Sequence, residues 1–175
     1  MTGPVAVFGQ PDTATAAIRH STQEAKDVQQ AQAQDTRAHQ PVDERLHSRV
    51  VQFYARQMQA LDAGRFPEYA DSFTEDGVFQ HTPGTEPART RAGILAELLE
   101  FNKKYEADPV QRRHYFSQVL LEPQDDGTYR STVYALIVRT RSGERPEVWP
   151  SCVVNDVVVE GPDGIHLKSR HVTYD

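Results

Sequence analysis

Cysteine occurs once in the 175 residues, as Cys152, so no internal disulfide framework is available and a reducing cytoplasm is the expected location. No apolar run approaches the roughly 20 residues that a membrane-spanning helix requires. Residues 1–10 carry neither a basic opening nor a sustained apolar stretch, so no secretory signal and no membrane partner are expected. Positive charge is scarce: 19 Lys and Arg stand against 25 Asp and Glu, a formal net charge of -6. A surface that neutralises phosphates would be basic, so no nucleic-acid partner is expected either. The chain lacks G-x-S-x-G, the P-loop and G-x-G-x-x-G, the usual signatures of serine acyl transfer and nucleotide cofactors. It also lacks H-x-x-x-H and C-x-x-C spacings, so neither a metal nor another cofactor is expected.

What is present changes character near residue 41. Residues 21–40 hold six glutamines and a single large aliphatic residue, Val28. Such a stretch buries too little apolar area to offset its ordering entropy, so residues 1–40 read as a flexible polar arm. The folded domain is expected over 41–175. Asp43 is a fitting N-cap for a helix in which Leu46, Val50, Phe53, Tyr54, Met58 and Leu61 recur at helical spacing, stopped by Gly64. A short helix over 66–73, a turn at Glu75-Asp76-Gly77 and a short strand over 78–81 follow. A third helix is expected over 89–105, with Ile94, Leu95, Leu98, Leu99 and Phe101 on its buried side. Strand periodicity then takes over at 114–121, 129–139, 148–159 and 165–173, joined by tight turns such as Asp125-Asp126-Gly127. Helices first and an antiparallel meander afterwards is the α+β pattern, here a cone-shaped α+β barrel of three helices on a curved, mostly antiparallel sheet enclosing a pocket.

Two residues invite chemistry. Asp62 lies in the last turn of the first helix, on the stripe of Tyr54 and Met58 that faces the core. A carboxylate there opposes the helix macrodipole, worth roughly 0.3–1 kcal/mol against it, so an inward Asp62 calls for a cationic partner or a shift toward its neutral form. The same pattern also fits a solvated helix end. His114 opens a strand in which His114, Phe116, Gln118 and Leu120 share one face. Placed at the pocket end of that row it is a usable base, since imidazole titrates near neutrality; a purely structural histidine fits equally well. Cys152, flanked by a valine-rich strand, reads as a small core residue.

The runs QFYARQMQALDAGRFPEYADSFTEDGVF and QRRHYFSQVLLEPQDDGTYRSTVYALIV resemble the SnoaL-like branch of the nuclear transport factor 2-like superfamily. Within it they are similar to the actinorhodin-pathway ActVIA group of polyketide-tailoring proteins, over about residues 43 to 174. The dehydratases of that superfamily carry an Asp at the end of the first helix and a His opening the first long strand, positions held here by Asp62 and His114. The resemblance also implies a polar residue at His81 and, anchored on the Asp163-Gly164 turn, a late-strand asparagine at Asn155. Leu61 stands where scytalone dehydratase has a tyrosine.

The resemblance thus implies a cofactor-independent cyclase or dehydratase that closes a pyran-type ring on, or removes water from, an aromatic polyketide intermediate. Catalysis would fall to Asp62 and His114. Tyr54, His81 and Asn155 would bind substrate oxygens, and Phe116, Tyr134 and Trp149 would form aromatic walls. A non-catalytic polyketide-binding or accessory partner, and an epoxide hydrolase, remain alternatives. Apolar residues on both faces of the strands, Val119 and Leu121 against Phe116 and Leu120, lead to a homodimer through the convex face as the expected assembly.

Overall fold

The computed structural model describes residues 42–175; the expected arm at 1–40 lies outside them. Helix α1 (Glu44–Asp62) starts where the Asp43 carboxylate accepts a hydrogen bond from the Arg45 amide at 3.0 Å. It ends before Gly64, whose φ of 72° is the left-handed conformation that stops a helix. Leu46, Val50, Tyr54 and Met58 form its buried stripe. Helix α2 (Phe66–Asp71) is followed without a loop by β1 (Phe73–Gln80), then the short β2 (Ala88–Arg89) and α3 (Thr90–Asn102), which tightens into a 3₁₀ turn at Lys103–Tyr105. The long strands are β3 (Gln111–Pro123), β4 (Tyr129–Thr140), β5 (Glu147–Gly161) and β6 (Gly164–Tyr174).

The strands form one curved six-stranded sheet in the order β2-β1-β6-β5-β4-β3, antiparallel except where β1 runs parallel to β6. The sheet does not close, because β2 and β3 remain its two edges. Three helices pack against it, and the core lies between them: Val50, Tyr54 and Met58 from α1 meet Val133, Val154 and Leu167 from the strands. Among the described residues no helix is long and apolar enough to cross a membrane.

Three local readings are corrected. Glu75-Asp76-Gly77 is a bulge inside β1 rather than a turn before it, since the register against β6 slips between Phe73 and Val78. Only glycine fits there, because a Cβ on Gly77 would stand 2.8 Å from the Phe73 Cβ. In α3, Ile94 and Leu98 are buried but Leu99 is 51% exposed. In β3 the alternation does not run unbroken: Gln118 adopts φ 54° and the pairing with β4 shifts between Ser117 and Leu120. An extra residue at a bulge reverses the facing of everything beyond it. Leu121 is therefore buried, and Leu120 is 55% exposed.

Candidate active site

The long strands leave an opening between the concave side of the sheet, α1 and α3. It is a cavity of about 580 Å³ with mostly aliphatic and aromatic walls, among them Met58, Leu98, Phe116 and Val154. His114 is in the wall, and behind it stands Asp62. The last turn of α1 places the Asp62 carboxylate against the start of β3: Oδ1 lies 2.5 Å from His114 Nδ1, and Oδ2 accepts the His114 backbone amide at 3.1 Å. Both side chains are largely buried, 9% exposed for Asp62 and 15% for His114. One carboxylate thus grips one residue at two points, which offsets the unfavourable dipole of the α1 terminus. A carboxylate accepting at Nδ1 directs the ring proton there, and the second nitrogen, Nε2, is left with its lone pair.

His81, at the end of β1, also lines the cavity. Its ring stacks on Phe79 at 5.3 Å and meets the Phe101 edge at 4.7 Å. Its Nε2 is buried with no hydrogen-bond partner among the described residues. Burial pulls this imidazole below its ordinary value; Glu97, 3.8 Å from Nδ1, opposes the fall, while Lys104 and Arg112 reinforce it. The folded protein therefore keeps His81 neutral where the unfolded chain would bind a proton. The unfolded state then binds more protons, so stability from this group is full above the unfolded value of 6.5 and is lost as pH falls through the lower folded value. The fall in melting temperature between about pH 7.5 and about pH 5.5 should be smaller in His81→Gln than in the parent protein. Equal falls in the two would show that His81 does not carry the proton linkage.

The remaining expected residues divide. Phe116 and Trp149 line the cavity, Trp149 at its mouth with 61% exposure. Tyr134 does not: it is 57% exposed on the convex face, because the inward phase of β4 is Ser131, Val133 and Ala135. Asn155 also points away from the cavity, because Cys152, Val154, Asp156 and Val158 are the buried positions of β5. Asn155 Oδ1 instead accepts from Thr132 Oγ1 across the strand pair at 3.4 Å. Tyr54 is 2% exposed beneath the cavity, and its hydroxyl donates to Asp156 Oδ2 at 2.8 Å. Cys152 is 3% exposed, and burial first, then Asp175, pushes its thiol up to about 11, consistent with a small core residue.

The sequence reading missed the ion pair at the cavity floor. Asp156 and Arg170 are register partners on β5 and β6. Arg170 Nε and a terminal nitrogen donate to the two Asp156 oxygens at 2.9 and 2.6 Å, and its other terminal nitrogen donates to the Tyr69 hydroxyl at 3.0 Å. Burial alone would lower the guanidinium, but Asp156, Tyr69 and Tyr54 outweigh it and hold Arg170 above its ordinary value. An Asp within a valine-rich strand was the available signal, but in Val-Val-Asn-Asp-Val-Val either polar residue could have been the inward one. Among the described residues, no group of three or more His, Cys, Asp or Glu is arranged to hold a metal ion.

Comparison with known proteins follows the same architecture. A family model described as a SnoaL-like domain matches residues 45–171. The chain is similar to ActVI-ORFA of Streptomyces coelicolor, with 45% identity and a TM-score of 0.70 over 74% of this chain and 97% of that one. It is similar to a protein of Catenulispora acidiphila solved in complex with S-DNPA, with 46% identity and a TM-score of 0.69 over 76% and 96% of the two chains. Aln2 of a Streptomyces species is 29% identical, with a TM-score of 0.71 over 78% of this chain and 95% of its own. A three-helix, open-sheet cone spanned by the family model over most of its described length places this chain in the SnoaL-like family.

Proposed function

We propose that the protein is a cofactor-independent polyketide-tailoring cyclase or dehydratase that uses Asp62 and His114 as an acid/base pair. The observation that carries this reading is the 2.5 Å contact between Asp62 Oδ1 and His114 Nδ1 at the wall of a largely apolar cavity. The similarity to ActVI-ORFA supports the substrate class, a polyketide intermediate. In the forward step Nε2 takes a proton from the carbon next to a substrate carbonyl, or from a hydroxyl that attacks one. Asp62 stabilises the imidazolium that forms and keeps the ring oriented. The imidazolium then returns its proton to the departing or newly formed oxygen, so the enzyme ends as it began. His81, neutral and with its Nε2 unpartnered, would donate an Nε2–H to the substrate carbonyl. Phe116 and Trp149 would flank a flat ring system. The test is turnover of a hydroxy-ketone or hemiketal of the pathway by the His114→Ala and Asp62→Asn variants.

The convex face supports a homodimer in this reading. Tyr115 pairs with Leu136, and Ser117 with Tyr134, across β3 and β4. Tyr115, Leu120, Tyr134 and Leu136 are between 44% and 58% exposed, a contiguous apolar surface of the kind that a second subunit covers. Light scattering at micromolar protein should return twice the chain mass, and Tyr134→Asp with Leu136→Asp should return the chain mass. A monomer in the parent protein would remove the dimer.

A further inference from the structure

The hydroxyl of Tyr69 carries a proton that no described residue receives. Tyr69 belongs to α2, is 1% exposed, and lines the cavity together with Arg170. Its oxygen accepts from a terminal nitrogen of Arg170 at 3.0 Å, and among the described residues nothing accepts its O–H in turn. The neighbouring phenol differs, since Tyr54 donates to Asp156 Oδ2 at 2.8 Å. A phenol both accepts and donates, and a buried donor left without a partner forfeits the hydrogen bond that water gave it. Burial raises Tyr69 above its ordinary value and Arg170 opposes that rise without cancelling it, so the proton stays on at neutral pH.

This donor is held in place. The Tyr69 ring packs against Phe73 and Phe79, with centroid distances of 5.7 and 5.8 Å. Arg170 bonds the hydroxyl from one side and is itself gripped by both Asp156 oxygens, its guanidinium 5.1 Å from the Phe116 ring centroid. A hydrogen bond accepted from a cation polarises the phenol toward giving its own proton. Asp156 balances the charge of Arg170, so the floor offers a hydrogen bond and no net charge. It suits a neutral oxygen, because an anion there would also stand beside the Asp156 carboxylate. Arg170 is only 2% exposed, so one ligand atom, and not a ring, can meet this pair.

We infer that Tyr69 is a ligand-binding donor: the cavity floor takes a neutral acceptor oxygen, a ketone or quinone carbonyl, on the buried end of a flat apolar ligand. The Phe79 ring stands between Tyr69 and His81, 5.8 and 5.3 Å from their rings. The oxygen at the floor is therefore a second one, apart from the carbonyl assigned to His81. The inference rests on the proposed function for the ligand class and adds the place of a further oxygen, but it concerns binding and not proton transfer by His114.

Equilibrium dialysis of the full chain with 2,3-dimethyl-1,4-naphthoquinone and with 2,3-dimethylnaphthalene tests it. The probes share a flat body and differ in two carbonyls, and the methyl groups block thiol addition to the quinone. Tyr69→Phe keeps the ring and removes the donor; it should weaken the quinone about tenfold and leave the hydrocarbon within about twofold. The hydrocarbon thereby reports an intact cavity in the same variant. The tenfold loss should recur when Tyr69→Phe is made in the His114→Ala background, so failure of the catalytic reading and failure of the floor donor are separate outcomes. In the parent protein the infrared carbonyl band of the bound quinone should lie below its position in alkane solution, and Tyr69→Phe should reverse part of that shift. A band at the alkane position, or measurable binding of neither probe, overturns the inference without any variant having to fold. Unchanged quinone affinity in Tyr69→Phe overturns it as well, whether or not His81→Leu lowers that affinity.

Discussion

The His114→Ala variant should keep its fold and lose turnover by about 10²-fold to 10⁴-fold, the usual contribution of a positioned general base. The fold should survive because the imidazole is at the cavity wall, and the backbone amide of residue 114 still bonds Asp62 Oδ2. Asp62→Asn should also lose rate, for a different reason. Both Asp62 oxygens accept, one from the ring and one from the amide. An asparagine offers one acceptor and one donor, so either the ring or the backbone N–H of His114 loses its partner, at about 1–3 kcal/mol. The amide group also cannot stabilise an imidazolium as a carboxylate does. Product formation followed by absorbance and mass, with circular dichroism on each variant, checks both effects. Unchanged rates in both variants would end the catalytic reading and favour the binding-partner alternative.

Arg170→Met should cost about 3–5 kcal/mol of stability, the penalty for leaving one partner of a buried ion pair uncompensated. Asp156 is 1% exposed and would retain only the Tyr54 hydroxyl as a donor side chain. Tyr69, 1% exposed, would lose the guanidinium that its oxygen now accepts from. Tyr54→Phe removes a single hydrogen bond to Asp156 and should cost less, about 1–3 kcal/mol. Replacing both charges, as Asp156→Leu with Arg170→Met, should recover much of the loss, because the desolvation of two ions disappears with their attraction. Urea unfolding of the four proteins reads the series. A loss below that of Tyr54→Phe in the Arg170→Met protein would show that the pair is not the anchor of the cavity floor.

The two candidate catalytic residues and the cavity floor were legible to different degrees. Helix and strand periodicity placed Asp62 and His114 but left each open to a purely structural reading, and the resemblance to the superfamily's dehydratases is what marked them as a pair. Phe116 follows from the alternation of β3, whereas His81 came only with the resemblance to the superfamily's dehydratases. Tyr134 and Asn155 were assigned to the wrong face. In β5 the run Val153, Val154, Asn155, Asp156, Val157, Val158 has no hydrophobic alternation, so the phase cannot be read locally. In β4 a large aromatic faces outward while Ser131 and Ala135 face inward, because the concave side must leave room for a cavity. A preference for aromatics in the core points the other way.

The sequence by itself determined the order of the helices and long strands, the Asp43 cap, the Gly64 stop, the core stripe of α1 and the meander of strands. Each of these depends on residues within a few positions of one another, so composition and period carry it. The tertiary structure alone decided the bulges at Gln118 and Gly77, the inward phase of β5, and the meeting of Asp156 with Arg170. Those features depend on register between strands, and a one-residue slip exchanges every inward side chain for an outward one. Register is chosen by the summed packing of the whole sheet on its helices, and no short stretch of the chain contains that information.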